Sequence, residues 1–123
     1  SVPWRASILG SWASYIAYDQ GEKWLKAVMN NIDDNRKYLA KLLKKYLPKA
    51  KYTMPHSTYL AWVDLNAYDI EDPAVILHEK GRVYFNDGKD FGPAGKNHVR
   101  INLATSKKIL KEAIKRAADV LEN

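Results

Sequence analysis

Arg100 is the residue whose type and setting say most about chemistry. It stands in the alternating run His98-Val99-Arg100-Ile101-Asn102-Leu103, in which Val99, Ile101 and Leu103 share one face and His98, Arg100 and Asn102 the other. A guanidinium in mid-strand offers a planar fork of donors that fits a carboxylate bidentately, so this polar stripe is suited to bind an acid. A surface arginine paired with an acidic neighbour has the same spacing, and on spacing alone that is the preferred reading.

The other candidates are weaker. His56, His78 and His98 have no metal-ligand spacing, and although His78-Glu79 begins like the helical zinc signature, position 82 is Arg where the second His is required. No metal site is expected. Gly88, Gly92 and Gly95 would let backbone N–H groups approach an anion, but Gly95-Lys96 is followed by Asn97 and leads into a strand, where a phosphate-binding loop must lead into a helix. That segment reads as an ordinary loop. Lys41, Lys44, Lys45, Lys49 and Lys51, and again Lys107, Lys108, Lys111, Lys115 and Arg116, lie at helical spacing opposite apolar stripes, as solvated helix faces do. Aromatics are not interleaved with them on a sheet face, so nucleic acid is not an expected partner.

These residues must be positioned by regular elements. Ile8, Leu9, Trp12, Tyr15 and Ile16 predict a helix to about Asp19, broken at Gly21. From Glu22, Leu25, Val28, Met29, Ile32, Leu39, Leu43 and Tyr46 keep a helical stripe until Pro48, a helix of about 25 residues. The period then becomes two: Tyr59, Ala61, Val63 and Leu65 alternate with Leu60, Trp62 and Asp64, with Tyr52 to Met54 as a short partner strand. Asp72 is expected to cap a helix from Pro73 that Gly81 closes, Arg82 to Phe85 to form a strand, and Asn86-Asp87-Gly88 to turn. After the His98 to Ala104 strand, Thr105 or Ser106 caps a last helix whose apolar face is Ile109, Leu110, Ala113, Ile114, Ala117, Val120 and Leu121. The order α-α-β-β-α-β-β-α predicts an α+β fold, a small and mostly antiparallel sheet covered by helices on one side, with a long connecting helix.

At 123 residues, 46% hydrophobic and 28% charged, the chain has the balance of a soluble globular domain, with no internal repeat or linker. The lack of cysteine rules out disulfides and thiolate chemistry and suits a reducing compartment; with no apolar run long enough to span a bilayer and no signal core in Ser1-Val2-Pro3-Trp4-Arg5, a cytoplasmic location and no membrane are expected. A net charge of +6 biases the partner list toward anions. The missing initiator Met suggests a piece of a longer protein.

Taken together, Ser57-Thr58-Tyr59-Leu60-Ala61-Trp62-Val63-Asp64, then Val83-Tyr84-Phe85-Asn86-Asp87-Gly88 with Phe91-Gly92, then Val99-Arg100-Ile101-Asn102-Leu103-Ala104-Thr105-Ser106, resemble the C-terminal part of class I/II aminotransferases, in the cystathionine β-lyase or C–S lyase branch. The resemblance covers nearly the whole chain. It implies the fold type I of pyridoxal phosphate (PLP) enzymes, a homodimer, and a full chain about three times this length, beyond the usual single-domain range. It implies residues 1–21 as a connecting helix segment and 22–123 as the small domain, with the large domain, its Schiff-base lysine and its phosphate-binding groups elsewhere. It assigns Arg100 to the α-carboxylate of an amino-acid substrate, and Tyr59, Asn86 and Gly88 to positions near the mouth of that pocket. His56-Ser57 departs from the small pair often found before Thr-Tyr in the family. The implied reaction breaks the β-carbon–sulfur bond of a cysteine-derived amino acid such as cystathionine, giving a thiol, pyruvate and ammonia. Transamination of amino acids on the same fold is the alternative, and a non-enzymatic binding module using the basic faces is the alternative of another class. The chain alone is expected to be inactive. Trp4, Trp12, Trp24 and the Leu25-Val28-Met29 stretch exceed what a small sheet covers, so an exposed apolar patch and self-association are expected.

Overall fold

The computed structural model describes residues 7–123, so Trp4 lies outside the described residues. The elements are α1 (Ile8–Gln20), α2 (Glu22–Tyr46), β1 (Lys51–Tyr52), β2 (Leu60–Asp64), α3 (Pro73–Gly81), β3 (Asn86–Asp87), β4 (His98–Asn102) and α4 (Lys107–Leu121), with short 3-10 turns between some of them. By compactness the chain divides between Asn31 and Ile32, inside α2.

In the first unit Ser7 caps α1, its Oγ accepting from the Gly10 N–H at 2.9 Å. Gly21 ends that helix with its N–H on the Ala17 carbonyl. No residue of α1 is buried: Ile8, Leu9, Trp12, Tyr15 and Ile16 are exposed, as are Trp24, Leu25 and Met29 on the first turns of α2.

In the second unit one core joins Leu39, Leu42, Leu43 and Leu47 from α2 and the residue after it, Ala61 and Val63 from β2, Leu77 from α3, Val99 and Ile101 from β4, and Leu110, Ile114 and Ala117 from α4. The sheet is antiparallel throughout, in the order β1-β2-β4-β3. Val99, Ile101 and Leu103 are buried, as their alternation predicted, and so are Ala61, Val63 and Leu65. Ser106 caps α4, its Oγ accepting from the Ile109 N–H at 3.2 Å. The basic groups of α2 and α4 are solvated.

Several local expectations need correction. Residues 82–85 pair with nothing among the described residues, and the strand is instead Asn86–Asp87, held by β4. A tertiary ladder overrides the Asn-Asp-Gly turn preference there, and the turn starts at Gly88 with the Asp87 carboxylate accepting from the Lys89 N–H at 3.0 Å. Asp72 does not cap α3 with its side chain: it sits in the left-handed region (φ 53) and its carboxylate pairs with Lys89. Gly81 stays inside α3, and Arg82 (φ 51) takes the left-handed closing position. The value of Gly81 is closeness, since an added Cβ would lie 3.2 Å from a Val120 methyl on α4. The partner strand is Lys51–Tyr52 and not Tyr52 to Met54, β4 ends at Asn102 and not Ala104, Tyr59 is half exposed because β2 starts at Leu60, and Ile109 is exposed and not buried.

Two buried polar residues join α2 to the sheet. Asn35 is fully buried, and its Nδ2 donates to the carbonyls of Leu103 (2.8 Å) and Thr105 (2.7 Å) where the chain leaves β4. Arg36 pairs with Asp33 and donates to the carbonyl of Thr58, a residue in the left-handed region (φ 75) just before β2.

Candidate functional site

β4 is an inner strand, so Arg100 has a neighbour on each side: Trp62 of β2 and Asn86 of β3 are its direct partners in register. Strand alternation therefore places Asn86, Arg100 and Trp62 in one row on the face opposite the core, with the pair Asp64 and His98 two positions along. The 3-10 turn Gly88–Phe91 brings Phe91 over this row: the Arg100 Cζ lies 4.1 Å from its ring centroid. Phe91 meets Trp62 edge to face at 6.1 Å, and Trp62 stacks on His98 at 5.2 Å. His98 Nδ1 lies 2.8 Å from the Lys96 carbonyl, which fixes the ring.

The electrostatics of the row are unbalanced. Arg100 is half-buried, its Nε is shielded from solvent with no hydrogen-bond partner, and among the described residues its guanidinium forms no ion pair. The surface ion pair that spacing alone favours is therefore not formed among the described residues. Asp64, on the same face two positions along β2 from Trp62, is engaged elsewhere. It accepts from the Asn66 backbone N–H and side-chain amide, both at 2.8 Å, and its Oδ2 lies 3.9 Å from His98 Nε2. Burial pushes the Asp64 carboxyl up, but the two Asn66 bonds, with His98 and Lys51, outweigh it and hold the group below the usual carboxylate range.

Of the residues singled out in the sequence, the structure brings Arg100 and Asn86 together. Gly88 is buried beside them with a packing role: a Cβ there would stand 2.3 Å from the Gly95 carbonyl oxygen and 2.7 Å from that of His98. Gly95 is the reciprocal case, its Cβ falling 1.9 Å from the Gly88 oxygen, so two backbones touch where only glycines fit. Tyr59 is not brought onto this face. It precedes β2, and its carbonyl accepts from the Leu103 N–H at 2.7 Å, just past the Leu60–Asn102 pair. Phe91, Trp62 and His98 were not singled out as site residues. Their signal was the outward position of Trp62 and His98 in their strands, which becomes a site only once register sets Trp62 beside Arg100.

No cluster of His, Asp or Glu among the described residues could hold a metal ion. No helix among them is long and apolar enough to cross a membrane. A cleft of about 770 Å³ lies elsewhere, between α4 and residues 82–85, and does not include Arg100.

The fold and the comparisons with known proteins now give the chain a family. Residues 7–117 match the family described as aminotransferase class I and II, and the chain belongs to that family. The cystathionine beta-lyase of Corynebacterium glutamicum is 40% identical over 94% of this chain and 31% of its own length. Among solved structures, cystalysin from Treponema denticola, which contains pyridoxal 5'-phosphate, superposes on 94% of this chain and 30% of its own with TM-score 0.88 and 29% identity. The PLP-bound C-S lyase of Staphylococcus hominis gives TM-score 0.80 at 37% identity over 85% of this chain and 29% of its own. The chain thus spans about a third of the length of the curated relatives it matches. These neighbours are fold type I PLP enzymes, and the α+β fold is that of a part of them.

The residues described do not form a holder for PLP. Every lysine is exposed, so none offers the sheltered amine that a Schiff base needs.

Proposed function

We propose that this chain is the substrate-carboxylate-binding small domain of a PLP-dependent cystathionine β-lyase, and that Arg100 anchors the α-carboxylate of a cysteine-derived amino acid. One observation carries the reading: Arg100 is half-buried, its Cζ lies over the Phe91 ring, and it lacks a counter-ion among the described residues. The names of the relatives support the choice of lyase over aminotransferase. The whole protein then cleaves a carbon–sulfur bond, releasing a thiol, pyruvate and ammonia, on a cofactor held by residues outside this chain.

Within that reaction this chain binds and orients. A bidentate guanidinium fixes both the position and the plane of the carboxylate, and so fixes how the rest of the amino acid is presented. Asn86 lies beside it in register as a neutral donor and acceptor for the same ligand. We further propose a homodimeric, cytoplasmic whole protein, to which the exposed α1 face and the cysteine-free chain are suited. The test is Arg100→Lys and Arg100→Ala in the full-length enzyme. Each is expected to lower kcat/KM for cystathionine by about 2 to 4 kcal/mol while the cofactor stays bound. Unchanged kinetics in a native structure would return Arg100 to a merely structural role.

A further inference from the structure

Arg100 is held by a face and not by a charge. Its guanidinium carries no ion pair among the described residues, yet a flexible side chain on an outward strand face needs something to fix its plane if it is to meet a carboxylate in one geometry. The Phe91 ring supplies that surface, with Cζ 4.1 Å from its centroid, well within the range of a cation–π contact. The ring is itself fixed. Trp62 abuts it edge to face, His98 stacks on Trp62, and the Lys96 carbonyl holds His98. The turn that carries Phe91 starts at Gly88, whose backbone touches that of Gly95 so closely that neither position has room for a Cβ.

We propose that Phe91 is a positioning residue for substrate recognition: it orients the Arg100 fork, and Trp62 and the Gly88–Gly95 contact hold Phe91 in place to do so. This rests on the reading of Arg100 as the carboxylate anchor. A ring face takes up none of the guanidinium's hydrogen bonds to acceptors, so the contact with Phe91 leaves the Nη groups available to a carboxylate. The aromatic surface therefore selects for an acid group without touching the reacting atoms. Phe91 is half exposed, so replacing it leaves the core of the unit intact.

The experiment uses the full-length enzyme and compares Phe91→Leu, Phe91→Met and Phe91→Tyr with Arg100→Lys. Two readouts are taken: KM and kcat for L-cystathionine, and equilibrium binding of L-alanine against ethylamine, its counterpart without a carboxylate, followed by cofactor absorbance. Phe91→Leu and Phe91→Met are expected to raise KM and weaken L-alanine binding about three- to tenfold, the size of one partly shielded cation–π contact. Ethylamine binding and kcat should stay within about twofold, and Phe91→Tyr should restore the wild-type values, because a phenol keeps the ring face. Equal losses for L-alanine and ethylamine, or no loss for either, would overturn the proposal. If Arg100→Lys also leaves L-alanine binding unchanged, the anchor reading fails with it; if Arg100→Lys weakens binding and Phe91→Leu does not, only the role of Phe91 fails. Should the enzyme not cleave cystathionine, the two binding measurements still decide the role of Phe91.

Discussion

A single charge without a partner decides the reading of this site, and a neighbouring charge shows the opposite arrangement. Asp64 is saturated by Asn66, with His98 and Lys51 nearby, and its carboxyl is held below the ordinary range even though burial works the other way. Its folded value lies below its unfolded value of roughly 3.9, so its contribution to stability is fully present above about pH 4 and disappears as the pH falls through the folded value. Asp64→Ala should therefore cost about 1 kcal/mol at pH 7. The gap from wild type should narrow as the pH falls below about 4, as urea melts across that range will show. Arg100 was legible as a candidate from its type and alternation, but its lack of a counter-ion was not, because which acids lie nearby depends on strand pairing between residues far apart in sequence.

Elements with strong periodicity were read from the sequence nearly to the residue, and short ones were not. α2 runs Glu22–Tyr46 and α4 begins after its Ser106 cap because apolar spacing and capping are local signals. β3 was misplaced because a two-residue strand has no period of its own, and only the ladder to Arg100 and Val99 makes Asn86–Asp87 a strand. Long-range polar ties are equally silent in sequence: Asn35 sits within the helical stripe, and its two carbonyl partners lie beyond β4. Removing that amide strands two buried carbonyls. Asn35→Ala should destabilise the second unit by about 1 to 3 kcal/mol, read as a lower Tm. Asn35→Asp should do at least as badly, since a carboxylate has no N–H to give.

At the scale of the whole chain, the two compact units differ in how much apolar surface they hide. The second has a closed core, while Leu9 is 83% exposed, Trp12 61% and Trp24 70% in the first. Taken alone at micromolar concentration, the 123-residue chain should self-associate, with a sedimentation coefficient that rises with concentration. Trp12→Glu together with Leu9→Ser should return it to a monomer; association unchanged by those substitutions would move the contact elsewhere. The tryptophans that drive this lie in the first unit, and Trp62 is the one tryptophan of the second. Its indole stands beside Arg100 in the ladder and against the ring on which the guanidinium rests. With Phe at positions 4, 12 and 24, the light emitted by this one indole of the chain is expected to gauge the proposed anchor, changing when an acid arrives without a coupled assay, an added dye or a turnover.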